Sequence, residues 1–159
     1  MARGRAAVEV RGLREFQAGL RAAEPKLARA MTKANKEIAQ QVAARARNEA
    51  TSNGGVQSKA APAIVGAAEQ RAAKIAVNAG RFPFANGAFY GALAYPQFDE
   101  WVGNSWDVGD ASSGPAAINP AIAEMIPVIE DFYLDAFEDA VARAFPSELA
   151  SLGSSVLGR

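Results

Sequence analysis

Large aromatic side chains are concentrated in one short segment, and this feature constrains the fold more than any other. The chain contains 8 Phe, 3 Tyr and 2 Trp, and eight of these thirteen rings lie within residues 81–107. Glycine and proline residues interrupt the same segment repeatedly. Rings of this size are placed in a hydrophobic core, in a ligand pocket or in a docking surface. The segment is therefore expected to form one of these three.

Missing residue types exclude several kinds of chemistry. The chain has no cysteine and no histidine, so it lacks disulfides, thiolate and imidazole catalysts, and the usual ligands of zinc sites. Asp99 and Glu100, beside Trp101, resemble the carboxylate pair of a sugar-cleaving enzyme, but neighbouring residues on a strand point to opposite faces. We expect no enzyme activity, no catalytic residues, no cofactor and no metal; a carboxylate-based hydrolase is kept as an alternative.

The length of 159 residues fits one domain with a true core. No apolar run approaches the roughly 18 residues that a membrane span needs, and the first twelve residues lack the apolar block of a signal peptide. We expect a soluble intracellular protein with no membrane partner and no small-molecule substrate.

The first half of the chain is predicted to be mostly helical. Residues 7–12 alternate apolar and charged side chains, which is typical of a short strand, and residues 13–24 have helical spacing. A long helix is predicted from Pro25 to about Ala50, because apolar residues recur every three or four positions along it. This apolar stripe consists of Leu27, Met31, Ala34, Ile38 and Val42. After a turn at residues 53–55, a short helix is predicted to begin near Pro62.

The second half is predicted to hold a small sheet and a second long helix. Residues 74–80 and 87–95 read as strands, the latter with Phe89, Gly91 and Leu93 facing inward, and residues 104–109 form a possible further strand. Asn119 is predicted to be the N-cap of the final helix, with Pro120 at its first position. That helix runs to about Phe145, is kinked by Pro127, and buries one face. The face consists of Ile122, Ile126, Ile129, Tyr133, Ala136 and Ala140.

These elements together predict an α+β fold. A small mixed or antiparallel sheet packs with a long N-terminal helix and a long, Pro-kinked C-terminal helix. A single domain is predicted over residues 1–145, followed by a Ser/Gly/Leu-rich tail over residues 146–159.

Charge is distributed unevenly although the net charge is zero. Residues 1–50 hold 11 Lys/Arg and 5 Asp/Glu, whereas residues 101–159 hold 2 Lys/Arg and 9 Asp/Glu. The two halves can attract each other within one chain or between copies in a head-to-tail ring. A basic half is also a weak indication of nucleic-acid binding.

The order of elements resembles a known family. The opening strand, glycine and short helix, the long Ala/Lys/Arg helix, the sheet strands and the Pro-started last helix look like those of one class of proteins over residues 6–146. The stretches that carry the likeness are "VEVRGLREFQAGLRAAE", "LARAMTKANKEIAQQVAARARNEA", "KIAVNAG", "FYGALAYPQFDEWVGN" and "INPAIAEMI". The class is the neck, or tail-completion, proteins of long-tailed bacteriophages, related to the minor tail protein Z of lambda.

The resemblance implies a structural virion protein, found in the neck or tail of the particle and in the bacterial host cytoplasm during assembly. Such a protein forms a homo-oligomeric ring, expected to be sixfold, that joins the head connector to the tail tube or tail terminator. Viral double-stranded DNA passes through the ring without sequence-specific contacts. Alternatives are a tail terminator that caps the tail tube and, in a different class, a helix-rich nucleic-acid-binding module.

Ten residues are predicted to form contacts between subunits or with neighbouring proteins. Half are rings of the aromatic segment, which offer large preformed contact area, and half are charged residues of the two long helices. They are Tyr90, Tyr95, Phe98, Trp101, Trp106, Lys33, Arg45, Arg47, Glu138 and Asp139.

Overall fold

The computed structural model describes residues 7–8, 25–69 and 72–144. Its elements, in chain order, are β1 (Ala7–Val8), α1 (Pro25–Asn53), α2 (Gly55–Ala60), a 3-10 turn (Ala61–Ala63), β2 (Ile64–Glu69), β3 (Ala72–Val77), α3 (Ala85–Tyr90) and α4 (Ile118–Ala144). The α+β prediction is confirmed: two long helices pack with a small antiparallel sheet. The helix predicted over residues 13–24 and the tail over residues 146–159 lie outside the described residues.

The two long helices pack against each other because each has a continuous apolar face. Met31, Ala34, Ile38 and Val42 of the predicted stripe are buried on α1. On α4, Ile122, Ile129 and Ala140 of the predicted face are buried as well. Much of the α1 face is alanine, whose small side chain lets neighbouring backbones approach closely.

The sheet has the order β1-β3-β2 and is antiparallel throughout. In the β2–β3 hairpin Ile64 lies opposite Val77 and Glu69 lies opposite Ala72. The helix α1 crosses this sheet at Gly66, where a Cβ atom would overlap the backbone of Ala39. Glycine is therefore required at this position for the close approach of helix and strand.

Three predicted segments have a different secondary structure in the protein. The short helix predicted near Pro62 is only the 3-10 turn, and the following residues form β2, because pairing with β3 overrides the helix propensity of the alanines. The strand predicted around Gly91 is helix α3, which Gly91 ends with a φ of 72°. Residues 104–109 contain turns and no strand.

The predicted bounds of both long helices agree with the structure to within a few residues. The α4 helix continues through Pro127. Asn119, however, lies inside α4 and its side chain bonds to the preceding loop, so the predicted N-cap is wrong by position and by role. Among the described residues, no helix is long and apolar enough to cross a membrane.

Candidate interaction surface

A long connection without helix or strand links α3 to α4. It covers residues 91–117 and contains four of the eight rings of the aromatic segment. Connections longer than about 12–15 residues without secondary structure are uncommon inside compact domains, and those that are ordered are usually functional. We refer to residues 91–117 as the aromatic loop.

One buried side chain organises the C-terminal part of the aromatic loop. The Nδ2 atom of Asn119 lies 2.9 Å from the carbonyl oxygen of Asp107, 2.7 Å from that of Asp110 and 2.7 Å from that of Ser113. Its Oδ1 atom accepts a hydrogen bond from the backbone N–H of Gly109 at 3.2 Å. Because an amide has only two N–H donors, the three carbonyl groups share them. One side chain thereby satisfies backbone groups that a strand or helix would otherwise pair.

The N-terminal part of the aromatic loop is closed by backbone contacts. The N–H of Ala92 donates to the carbonyl oxygen of Asp99 at 2.9 Å, and the N–H of Val102 donates to that of Tyr90 at 3.0 Å. A Cβ atom on Gly91 would overlap the backbone of Asp99 and Glu100, so the chain segments on the two sides of this part of the loop lie in close contact. The result is a fixed hairpin-like projection.

Large apolar side chains are exposed on this projection. The exposed fraction is 81% for Leu93, 60% for Tyr95 and 38% for Trp101. Leu93 was predicted to face inward, and this prediction is wrong because the loop is not a strand with alternating faces. Phe89 is buried as predicted, since it belongs to α3 and packs into the core.

The other three predicted rings, Tyr90, Phe98 and Trp106, pack between the loop and the rest of the domain. Tyr90 and Trp106 are half-buried and form a tilted pair with ring centroids 5.7 Å apart. Burial raises the pKa of the Tyr90 hydroxyl. Phe98 is half-buried, lies over Gly87 and contacts Tyr95 edge to face at 6.4 Å. The five predicted rings thus divide into two exposed rings, Tyr95 and Trp101, and three supporting rings.

The predicted cationic residues are partly engaged within the chain. Nη2 of Arg45 lies 2.5 Å from a carboxylate oxygen of Glu124, and Arg47 donates to the carbonyl oxygen of Ile64 at 2.9 Å. The hydrogen bond with Glu124, followed by its negative charge, raises the pKa of Arg45. These contacts connect α1 to α4 and to β2, which is the intrachain arrangement left open by the charge distribution. The interface role of both residues stays a prediction.

The other three predicted charged residues lie on outer faces of the long helices. Lys33 is exposed and forms an i,i+4 ion pair with Glu37 at 3.5 Å. Glu138 and Asp139 are exposed on α4. Their contact with another copy stays a prediction.

A series of hydrogen bonds between partly buried polar groups connects α4, α1 and β2, and the sequence did not predict it. The hydroxyl of Tyr133 donates to Oδ1 of Asn35 at 2.8 Å, and Nδ2 of Asn35 donates to the carbonyl oxygen of Glu69 at 3.4 Å. Burial raises the pKa of Tyr133 to about 12. The only sequence indication was an asparagine beside the apolar stripe of α1. These hydrogen bonds fix how α4, α1 and β2 are aligned with one another.

The carboxylates beside Trp101 lie at the surface, and a small gap lies inside the fold. Asp99 and Glu100 are exposed on the loop, and residues 7–8, 25–69 and 72–144 contain no group of three or more acidic residues that could hold a metal ion. A gap between α1, α4 and the sheet has a volume of about 10 Å³, which is at the lower limit of what a single water molecule needs, and its lining is almost entirely apolar.

Comparison with protein-family models, with curated proteins and with solved structures finds no match to this chain.

Proposed function

We propose that the protein is a structural component of the neck or tail end of a long-tailed bacteriophage, where it forms part of a ring between head and tail. The observation that carries the proposal is the aromatic loop, which hydrogen bonds hold in place and which exposes Leu93, Tyr95 and Trp101. The resemblance of the order of elements to neck proteins adds the class of assembly. In this proposal the protein is part of the virion and has no catalytic role.

The construction of the aromatic loop suits a docking surface. Exposed Tyr and Trp side chains provide large contact area with few rotatable bonds, and such residues dominate interface energies. The loop is already fixed by Asn119 and by the backbone bonds of Ala92 and Val102. Little conformational entropy is therefore lost when a partner binds, so more of the contact energy remains as affinity.

The proposed partners are further copies of the chain, a head-connector protein, and a tail-tube or tail-terminator protein, with viral DNA passing through the ring. In the alternative of a nucleic-acid-binding module, exposed Arg29, Lys33 and Lys36 would contact the phosphates, because Arg45 and Arg47 already contact Glu124 and Ile64 within the chain. Binding to DNA through phosphate contacts would weaken steeply with salt. A gel-shift titration at two salt concentrations tests that alternative.

Deleting the gene from the virus that encodes it tests the proposal. We expect separate heads and tails in electron micrographs, and joined particles when the wild-type gene is supplied in trans. Particles that remain joined and infectious after the deletion would show that the proposal is wrong.

The Trp101→Ala variant tests the aromatic loop as the docking surface. It should fold normally, because the side chain is partly exposed, yet fail to restore joining in the deletion background. Val128→Ala is the matched control, since it also removes an exposed apolar side chain, on α4 and outside the loop. If Trp101→Ala unfolds, the residue belongs to the core; if it restores joining as well as Val128→Ala does, the docking surface lies elsewhere.

A further inference from the structure

The two long helices run antiparallel, and two contacts fix how they are aligned. Asn35 of α1 meets Tyr133 of α4, and Arg45 of α1 meets Glu124 of α4. The contacts are ten residues apart on α1 and nine residues apart on α4, so the helices stay aligned over this length. The N-terminal half of α1 therefore lies at the same height as the C-terminal half of α4.

Each helix presents a stripe of like charges at this shared height. The basic stripe of α1 consists of Arg29, Lys33 and Lys36; the acidic stripe of α4 consists of Asp131, Asp135 and Glu138. All six residues are exposed. The first stripe has the spacing i, i+4, i+7, and so does the second. Each stripe is about 10 Å long at the helical rise of 1.5 Å per residue.

The two stripes point away from each other. Ile38 and Ile129 line the same gap between the helices and mark the faces that meet. Arg29 lies nine residues before Ile38, and Glu138 lies nine residues after Ile129. Nine residues correspond to about two and a half turns. Each stripe is thus about half a turn away from the helix–helix contact, and the two stripes lie on opposite flanks of the molecule.

We propose that the acidic stripe of one copy docks onto the basic stripe of the next. The occupant is a second copy of this chain, because the two stripes have opposite charge, equal length and equal height. Antiparallel packing also orients them correctly: a neighbouring α4 related by rotation about an axis parallel to the helices runs antiparallel to α1. Arg29 then lies nearest Glu138, and Lys36 lies nearest Asp131.

Equal height has a consequence for the symmetry of the assembly. A head-to-tail contact produces a closed ring when the rotation carries no shift along its axis, and an open filament when it does. The alignment of Asn35 with Tyr133 places the two stripes within about two residues of each other in height. The contact therefore favours a closed ring whose axis is nearly parallel to α1 and α4. This inference rests on the ring of the proposed function and names the surfaces that form it.

The contact is expected to be weak in solution and sensitive to salt. Exposed ion pairs contribute little individually and mainly set orientation and encounter rate. Leu134, which lies within the acidic stripe and is exposed, adds apolar area that can contact the aliphatic part of Lys33.

Two charge-reversed variants test the inference with the purified full-length chain. The first is Lys33→Glu with Lys36→Glu, and the second is Asp131→Lys with Asp135→Lys, which reverses the two acids that face these lysines. Each variant alone has like charges on both flanks and should be more weakly associated than the wild type in sedimentation velocity at low salt. An equimolar mixture should associate at least tenfold more tightly than either variant alone, because every contact between unlike variants is again complementary.

Lys59→Glu with Arg81→Glu is the matched control, since it reverses two exposed basic residues outside both stripes and outside the aromatic loop and should leave self-association unchanged. A mixture that associates no more than its separate components would overturn the inference, as would a control that disrupts association equally. Circular dichroism of each variant confirms that it is folded. The self-association measurements do not require the virus. If the protein joins head to tail without this contact, only the inference is wrong. If the protein self-associates as expected but is dispensable for joining, only the proposed function is wrong.

Discussion

Replacing Asn119 with aspartate separates the role of its Nδ2 group from the shape of its side chain. The substitution exchanges NH₂ for a carboxylate oxygen and changes almost nothing else. The acceptor bond from the N–H of Gly109 is retained, whereas the donors to Asp107, Asp110 and Ser113 are lost. The buried site then places a negative charge against three carbonyl oxygens.

The expected cost can be bounded in two ways. Two lost hydrogen bonds contribute about 1 kcal/mol each, and an uncompensated buried charge costs about 3–5 kcal/mol. The carboxylate can avoid the second cost by taking up a proton, which at pH 7 costs about 4 kcal/mol from an ordinary aspartate pKa of about 3.9. The protonated form keeps one donor, so this route costs about 5 kcal/mol and is the cheaper one, and we expect the Asn119→Asp variant to lose about 5 kcal/mol of unfolding free energy at pH 7. That is a large part of the roughly 5–15 kcal/mol typical of a domain.

The loss should depend on pH in a defined direction. Burial raises the pKa of the introduced carboxyl group in the folded state, so the folded state binds the proton more tightly than the unfolded state. The deficit relative to wild type should therefore shrink as the pH falls from 7 towards 4. Urea unfolding followed by tryptophan fluorescence measures it directly, because Trp101 and Trp106 both lie in the aromatic loop.

Asn78→Asp is the matched control. The Oδ1 atom of Asn78 accepts a hydrogen bond from the N–H of Arg81, and the residue is exposed. The same atomic change there should alter the unfolding free energy by less than about 0.5 kcal/mol. If the variants at positions 119 and 78 are equally stable at pH 7, the amide network of Asn119 does not hold the loop.

Two further predictions concern the contacts of α1. Gly66→Ala should lower the unfolding free energy by about 2–3 kcal/mol in denaturant unfolding, because the added methyl group meets the backbone of Ala39, which cannot move aside. Gly80→Ala is the control: the nearest atom is 3.5 Å away, so this variant should be neutral or slightly stabilising. Equal unfolding free energies for the two variants would refute the close contact at Gly66. Tyr133→Phe should cost about 1 kcal/mol at neutral pH through loss of the bond to Asn35. Since the pKa of Tyr133 is raised to about 12, the tyrosine's contribution to the unfolding free energy is fully present below about pH 10 and is lost as the pH rises through 12. If the difference in unfolding free energy between wild type and Tyr133→Phe stays constant from pH 9 to 12, Tyr133 is not buried as described.

The long helices could be predicted from sequence because their information is local and repeated. The apolar stripe from Met31 to Val42 recurs every three or four residues, and the same holds for Ile122 to Ala140 on α4. The ends of α1 are marked by residues that commonly begin or end helices: Pro25 is its first residue, and Gly54, with a φ of 73°, follows its last residue. Periodicity and punctuation of this kind survive any tertiary arrangement.

The strands and the aromatic loop could not be predicted because long-range contacts decide them. The segment Ile64–Glu69 is rich in alanine and reads as helix, yet pairing with β3 and the close approach of α1 at Gly66 make it a strand. The alternation of Phe89, Gly91 and Leu93 imitates a strand, but Gly91 ends a helix. The role of Asn119 depends on carbonyl groups that lie six to twelve residues earlier in the chain, and no local pattern indicates it.

The two proposed contact surfaces lie at opposite ends of the helix pair, and this separates their functions. The aromatic loop enters α4 at Ile118, at the height of the C-terminus of α1, whereas the charged stripes lie near the N-terminus of α1. In a ring whose axis is parallel to the helices, the stripes face lateral neighbours and the loop faces one axial end. Trp101→Ala should therefore block joining while leaving self-association intact, and the charge-reversed variants should weaken self-association while leaving the loop folded. Loss of self-association in Trp101→Ala would instead place the loop between subunits of one ring.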